Sequence, residues 1–541
     1  MSNLLDKASI ILTPTAYDNS EVLCVKPSDG SGDFDFSRNS AATRVNAQGL
    51  VEDVQILSSN LIVNGDFATN SNWNFNTGWS YETNKAVSVP SGGGKGINQS
   101  VGGKIFSGKT YKVKYTIQDY VSGNVRPSLS GGGTATGTTS NANGTFTQNL
   151  IATTNHTTFN IKSTGTSGGF NGSITNVSII EISQDTNLPR INYDGFSFDG
   201  SGNIIPDSGC GSWLFEPQST NLITYSEDFS NAAWTKLNVT ITPNQGISPD
   251  GSNNASKYVG STTSQDFRTP ITFSSNYTCS CYIKVINSPF IRLRTNDGSC
   301  WFNMTTNAVA TNTFADAEIK NVGNNWYRLS VTSSSFTSSS FFFIHPHATD
   351  NTTSELDGAE FLVWGAQVEE DYATSYIPTD GTSVTRNQDV CDNGGSLASI
   401  NSTEGVLYAQ IARDSNDGNF TTGIQISDGT TSNNLRLFFN QPNTISVITR
   451  VGGSNNIVKT AQAITSSTAM NKFALVWKLN DYKLYYNGAE LWSDTSASVY
   501  PIGTLNVIDF KNQSNPFFGK TKCLAVFPFL TDTELAELTT I

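Results

Sequence analysis

Three short patterns in this chain have the residue types that chemistry uses, and the residues around each decide what they mean. Gly103-Lys104-Ile105-Phe106-Ser107-Gly108-Lys109-Thr110 matches the phosphate-binding loop letter for letter. That loop works where a strand precedes it and a helix follows, so that amides at the helix N-terminus and the lysine cradle the phosphates. Here Tyr111-Lys112-Val113-Lys114-Tyr115 follows, and its period-two alternation is that of a strand. The pattern reads as a hairpin turn. Gly165-Thr166-Ser167-Gly168-Gly169 has the form of a nucleophile elbow, which needs a strand-to-helix turn with an acid and a histidine further on. It sits in a Gly/Ser/Thr-rich stretch where such matches arise by chance. His345 and His347 flank Pro346 and share one face of a strand, a spacing that two metal ligands could use. No further His or Cys cluster accompanies them, so no metal site is expected. Acidic residues are scarce in the repeats and no hydrolase motif surrounds them, so the chain reads as non-enzymatic.

Aromatic residues are the main resource for binding. Sugar rings stack C–H faces on aromatic planes while Asn, Asp and Gln read hydroxyls, and all of these are plentiful. Five residues are carbohydrate-binding candidates: Trp79, Tyr81, Trp301, Phe302 and Trp492. Trp73, Trp234, Trp364 and Trp477 recur at module starts or in apolar strands and read as core. No cofactor is expected. Asp/Asn-rich turns offer oxygen ligands of the kind calcium takes, but no EF-hand spacing supports a calcium site.

The elements that must position these residues are strands. Charged residues make up 14% of the 541, so Asn, Ser, Thr and Gly must supply the polar surface, and these favour turns over helices. A net charge of −13 without a basic run excludes a nucleic-acid partner. No segment reaches the ~18 consecutive apolar residues of a membrane helix, and the N-terminus lacks the pattern of a signal peptide. The seven cysteines form no CxxC pair and read as free, mostly buried thiols.

Self-similarity organises the chain. Asn60–Trp73 (NLIVNGDFATNSNW) and Asn221–Trp234 (NLITYSEDFSNAAW) open two long stretches of short strands. Each has an apolar strand midway and another at its close. This predicts an all-β, multi-domain string of antiparallel β-sandwiches (jelly rolls), with one short C-terminal helix. The expected domains are an N-terminal β-unit over 1–57 continued by 188–218, an inserted jelly roll over 58–187, a second over 219–384, and a final sandwich over 385–541. Asn487-Gly488 predicts a two-residue hairpin. Thr531-Asp532-Thr533-Glu534 predicts a capping box at the start of the tail helix.

The string FSRNSAATRVNAQGLVE, followed by PRINYDG and LFEPQSTNLITYSEDFSNAAW, resembles virion proteins of tailed bacteriophages of the head-spike and tail-fibre type. The repeats resemble carbohydrate-binding-module jelly rolls through their openings, the central GKTYKVKYTI and NYTCSCYIKV, and the closing ITNVSIIEI and FLVWGAQVEE. The last section, through FALVWKLNDYKLYYNGAELW and GKTKCLAVFPFLTDTELAEL, resembles laminin-G or concanavalin-type lectins. The resemblance implies a virion fibre or spike, joined to capsid or tail proteins by its N-terminal unit, that adheres to cell-surface glycans as a homo-oligomer, a trimer above all. The alternatives are a purely structural capsid decoration protein and a glycan depolymerase.

Overall fold

The computed structural model describes residues 2–90, 93–164, 169–273, 275–334, 339–415 and 421–541. Almost every element is an antiparallel strand. The exceptions are one turn of helix at Ser2–Leu5 and the tail helix Asp532–Thr539, where Thr531 and Glu534 form the expected capping box. The chain divides into two compact units, Gln55–Thr186 and Met1–Val54 with Asn187–Ile541.

The smaller unit is a jelly roll of two five-stranded sheets. One runs Ala135–Thr136, Asn124–Ser130, His156–Thr164, Gly96–Ile105, Asn74–Phe75; the other runs Gly144–Ile151, Thr110–Ser122, Asn171–Ile182, Lys85–Ser88, Trp79–Glu82. Alternation in Thr110–Ser122 sends Tyr111, Val113, Tyr115 and Ile117 into the core between the sheets. The segment 103–110 joins Gly96–Ile105 in one sheet to Thr110–Ser122 in the other. It is therefore a crossing between sheets rather than a hairpin, and a strand follows it where a phosphate loop needs a helix.

The larger unit contains a second jelly roll with the same strand order. Its sheets run Thr235–Leu237, Asp266–Thr272, Ser339–His347, Phe290–Arg294, Ser299–Asn303, Ala308–Asn312, and Val239–Thr242, Ser256–Gly260, Glu360–Glu370, Tyr277–Val285, Trp326–Ser333, Asp316–Gly323. Each sheet has one strand more than its counterpart, because two consecutive strands, Ala308–Asn312 and Asp316–Gly323, are added at the same edge, one to each sheet. The openings are also built alike. Asn60 accepts hydrogen bonds through its side-chain oxygen from the amides of Ile62 (3.1 Å) and Ile179 (3.0 Å). Asn221 accepts the same pair from Ile223 (3.1 Å) and Val368 (3.1 Å). Trp73 donates its indole N–H to the Asn64 carbonyl at 2.9 Å and packs on Phe67; Trp234 donates to the Tyr225 carbonyl at 3.0 Å and packs on Phe229. Each indole reaches back nine residues. Strand order and these paired contacts together make the two jelly rolls copies of one design.

The rest of the larger unit is a sandwich that draws on both ends of the chain. Its eight-stranded sheet runs Ile191–Asn192, Ser212–Phe215, Gly519–Phe527, Glu404–Arg413, Asn471–Lys478, Tyr482–Tyr486, Ala489–Asp494, with Ile10–Leu12 also paired to Gly519–Phe527. A five-stranded sheet from Thr422–Ser427 to Ser454–Ala463, closed by Val507–Asp509, faces it. Phe34 and Phe36 pack in this same core beside Phe510 and Phe215. Much of 10–36 and 191–215 thus shares its core with the C-terminal sandwich, while Val51 packs on the second jelly roll and Ala42, Val54 and Leu188 form a small cluster of their own. Asn487 and Gly488 have φ of 46° and 93°, and Tyr486 pairs with Ala489, so the expected two-residue hairpin is present. All seven cysteines are free, and Cys279 and Cys281 both point into the second jelly-roll core.

Candidate functional site

The aromatic candidates are placed by the sheets, and most are core. Trp79 stacks on Phe170 at 5.8 Å and is buried. Tyr81 packs half-buried on the same core and donates to the Ala68 carbonyl at 3.3 Å. Phe302 is fully buried, because neighbours on a strand point to opposite faces and Cys300 and Phe302 take the core side. Trp492 belongs to the C-terminal core, beneath the Lys459 ammonium. Trp79, Phe302 and Trp492 therefore offer no open ring face to a sugar. Trp73, Trp234, Trp364 and Trp477 are buried, as expected. The Ser of the elbow-like pattern, Ser167, lies outside the described residues.

Trp301 alone leads to a surface of a different kind. It points away from the core of the second jelly roll, onto a sheet face that also carries Arg268, Arg292, Arg294, Phe341, Phe343, His345 and His347. Phe342 and Ile344, the intervening residues, are core. Strand register fixes the neighbours: Arg292 lies opposite both Trp301 and His345, and Phe343 opposite Arg268 and Arg294. The guanidiniums stack on the rings, Arg292 over Trp301 at 4.4 Å, Arg268 over Phe341 at 4.2 Å and Arg294 over Phe343 at 4.6 Å. Trp301 is 5% exposed, so the guanidiniums and not the indole meet solvent. Stacking of this kind holds a guanidinium flat and leaves its N–H edges free for an anion. Arg268 pairs with Asp266 at 3.3 Å, while among the described residues no ion pair engages Arg292 or Arg294. Burial first, then the Arg292 charge, lowers the His347 imidazole to about 4; burial, His347 and the arginines lower His345 to about 3. Both rings are neutral at ordinary pH. The loop 348–359 also brings Glu355 to this face, its carboxylate 3.5 Å from Nδ1 of His345. The residue that joins the two histidines is thus a glutamate, neither a His nor a Cys.

The second concentration of charge is buried. Arg190 pairs with Glu216 at 2.5 Å and with Asp389, Arg38 pairs with Asp389 at 3.0 Å, and Arg386 pairs with Glu216 at 2.8 Å. All five side chains are essentially inaccessible. Ser375 donates its amide and hydroxyl to Glu216 at 2.8 and 2.6 Å, and Arg386 and Arg38 cap the carbonyls of Pro217 and Leu188. Burial would raise the Glu216 carboxyl, but Arg386, Arg190 and Ser375 outweigh it and hold it far below the usual range. These residues come from FSRNS, LPRIN, LFEPQ, SYIPT and TRNQD. The strings that carry the phage resemblance therefore tie the N-terminal segment, the second jelly roll and the C-terminal sandwich into one body. A cavity of about 430 Å³ adjoins this knot, walled by Arg44, Asp194, Lys320, Arg328, Asp414 and Lys520. Removal from water, and then Glu216, push the Asp414 carboxyl up to about 7.

No protein-family model and no curated protein matches the chain. Solved structures similar to it include two of the Ruminococcus gnavus IT-sialidase CBM40, one of them bound to α2,3-sialyllactose, each at 18% identity and TM-score 0.23, covering 27% of this chain and 93% of that one. The tandem CBM22 domains of Paenibacillus barcinonensis Xyn10C match at 10% identity and TM-score 0.20, over 58% of this chain and 98% of theirs. Tandem CBM51 modules of a Streptococcus pneumoniae family 98 glycoside hydrolase match at 8% identity and TM-score 0.15, over 62% and 93%. At these scores the jelly-roll assignment rests on strand order and core contacts rather than on the matches.

Proposed function

We propose that the protein is a non-catalytic fibre or spike of a tailed-phage virion, on head or tail, that adheres to acidic glycans. The observation that carries the binding half is the stacked arginine face of the second jelly roll. Arg292 and Arg294 are oriented by aromatic rings and, among the described residues, form no ion pair, which suits the carboxylates or sulfates of a sugar chain. The virion half rests on the ordered strings described above. Residence in the virion, attachment to capsid or tail proteins through the N-terminal segment, and a trimeric form belong to this same reading. Many copies on one particle would turn weak single contacts into useful avidity.

The test is a glycan array probed with the whole protein displayed multivalently, at low and high salt. Acidic glycans should be retained, retention should fall as salt screens the guanidiniums, and Arg292→Ala with Arg294→Ala should abolish it. Retention that ignores the double variant would reject the arginine face. Immunogold labelling of particles checks the location. Release of reducing ends from a retained glycan would turn the reading toward a depolymerase.

A further inference from the structure

The outer face of the second jelly roll holds buried nitrogen atoms that no described residue satisfies. Both ring nitrogens of His345 and Nε2 of His347 are inaccessible to solvent and have no hydrogen-bond partner among the described residues. Buried polar atoms left this way cost free energy, and in native proteins they are usually met by a water, an ion or a ligand. Three such atoms on two adjacent imidazoles are concentrated at one spot.

We propose that His345, His347 and Glu355 bind a borderline divalent transition metal, zinc above all, which fastens the loop 348–359 across this sheet face. One nitrogen from each imidazole and one Glu355 oxygen all lie within 4.8 Å of one another. Nδ1 of His345 and Oε1 of Glu355 are 3.5 Å apart, close to the separation of two ligands on a tetrahedral zinc. Closing the remaining gaps asks only for side-chain adjustment in a loop residue. His347 is already oriented for the task. Its Nδ1 lies 3.0 Å from the Ser354 carbonyl, which makes Nδ1 the donor and leaves the lone pair on Nε2 facing inward. Two imidazoles and a carboxylate are a donor set that zinc accepts, with water in the fourth position.

The opposing effect is charge. Arg268, Arg292 and Arg294 stand in the same neighbourhood and repel a cation, so the Glu355 carboxylate is essential rather than auxiliary. The inference does not depend on glycan binding, since it concerns how the loop is held.

The experiment uses the full chain, stripped with chelator and dialysed, then titrated with Zn²⁺ by calorimetry and with Co²⁺ by visible absorption. One equivalent should bind, with cobalt giving the intense bands of a low-coordinate site. Glu355→Gln and His347→Gln should each weaken binding by more than the roughly 10–100-fold that loss of an outer-shell partner costs. Histidine ring ¹⁵N shifts should show metal at Nδ1 of His345 and Nε2 of His347. Failure of the wild-type chain to bind, or equal binding in both variants, would overturn the site. The second result would assign any zinc to other groups such as the exposed Cys210 thiol. If the His347 variant does not fold, Glu355→Gln on the loop and the ¹⁵N shifts decide the question.

Discussion

The two jelly rolls share a core and differ on their outer faces. In the first, Asn160 on His156–Thr164 bonds to Ser128 and Ser130 of the neighbouring strand, and the same polar face sets Arg126 opposite Lys162 but carries no Phe, Tyr or Trp on these two strands. In the second, the corresponding strand presents Phe341, Phe343, His345 and His347 beneath three arginines. The anchoring of their ends differs too. Gln55 ties the first roll's ends by donating to the carbonyls of Ser183 and Asp185 at 3.1 and 3.0 Å, with one bridge between Ile56 and Ile182. The second roll is anchored by the buried knot of Arg38, Arg190, Arg386, Glu216 and Asp389. Duplication has kept what the fold requires, and the two copies have diverged where it requires nothing.

The largest expected effect falls on the knot. Glu216→Gln leaves Arg190 and Arg386 buried without their carboxylate, and should destabilise the larger unit by ~3–5 kcal/mol. Calorimetry should show its transition move while that of Gln55–Thr186 stays. The pH dependence follows from the depressed Glu216 carboxyl. Its contribution is complete above the unfolded value of ~4.3 and is lost as pH falls below it. The larger unit should therefore lose stability on acidification, and less steeply in the variant. A common shift of both transitions would show that the two anchors do not differ as described.

Next come the paired tryptophans. Trp234 packs against both Phe229 and Phe267, at 4.9 and 5.0 Å, whereas Trp73 packs against Phe67 at 5.0 Å. Trp→Ala should cost ~3–5 kcal/mol in each roll, with Trp73 toward the lower end. Each change should move its own unit's transition. A smaller effect is expected in the C-terminal sandwich, outside the duplication, and it calibrates the scale. Gly488→Val places a β-branched residue at φ 93°, with its Cβ 3.3 Å from the Thr540 hydroxyl. A loss of about 2 kcal/mol fits the cost of left-handed backbone, and denaturant midpoints would measure it.

These contrasts mark how far the sequence could be read. The all-β class, the repeat, the Asn487-Gly488 hairpin and the Thr531 capping box were legible because each depends on neighbours in sequence. The alternation at Trp301 and Phe302 was also available, since Cys300 and Phe302 cannot face the core while Trp301 does so too. The knot was not legible: Arg38 and Asp389 meet across 351 residues, and no periodicity links them. A faint signal existed, because charged residues are scarce here and those inside apolar strings needed explaining. Glu355 was missed for a related reason. It sits eight positions beyond His347 in a loop, where strand spacing predicts nothing.

The smallest effect is the sharpest test of the duplication, because it compares one residue in two settings. Asn60 and Asn221 accept the same two amide bonds at the start of their rolls. Asn221 is fully buried and also donates to the carbonyls of Ala366 at 3.1 Å and Ile377 at 2.8 Å. Asn60 is exposed, so water can replace what its side chain gives up. Asn221→Ala strands buried amides and carbonyls together and should cost ~1–3 kcal/mol, while Asn60→Ala should cost under ~1 kcal/mol, since solvent satisfies the freed amides. Asp in place of Asn keeps the acceptor and removes the donor. Asn60→Asp should then be nearly silent, whereas Asn221→Asp should remain damaging, because it buries a carboxylate where Ala366 and Ile377 need a donor. Chemical denaturation of the four variants measures the difference. Equal losses at both positions would mean that burial does not separate the two copies. A silent Asn221→Ala would mean that the shared asparagine is no part of the common design.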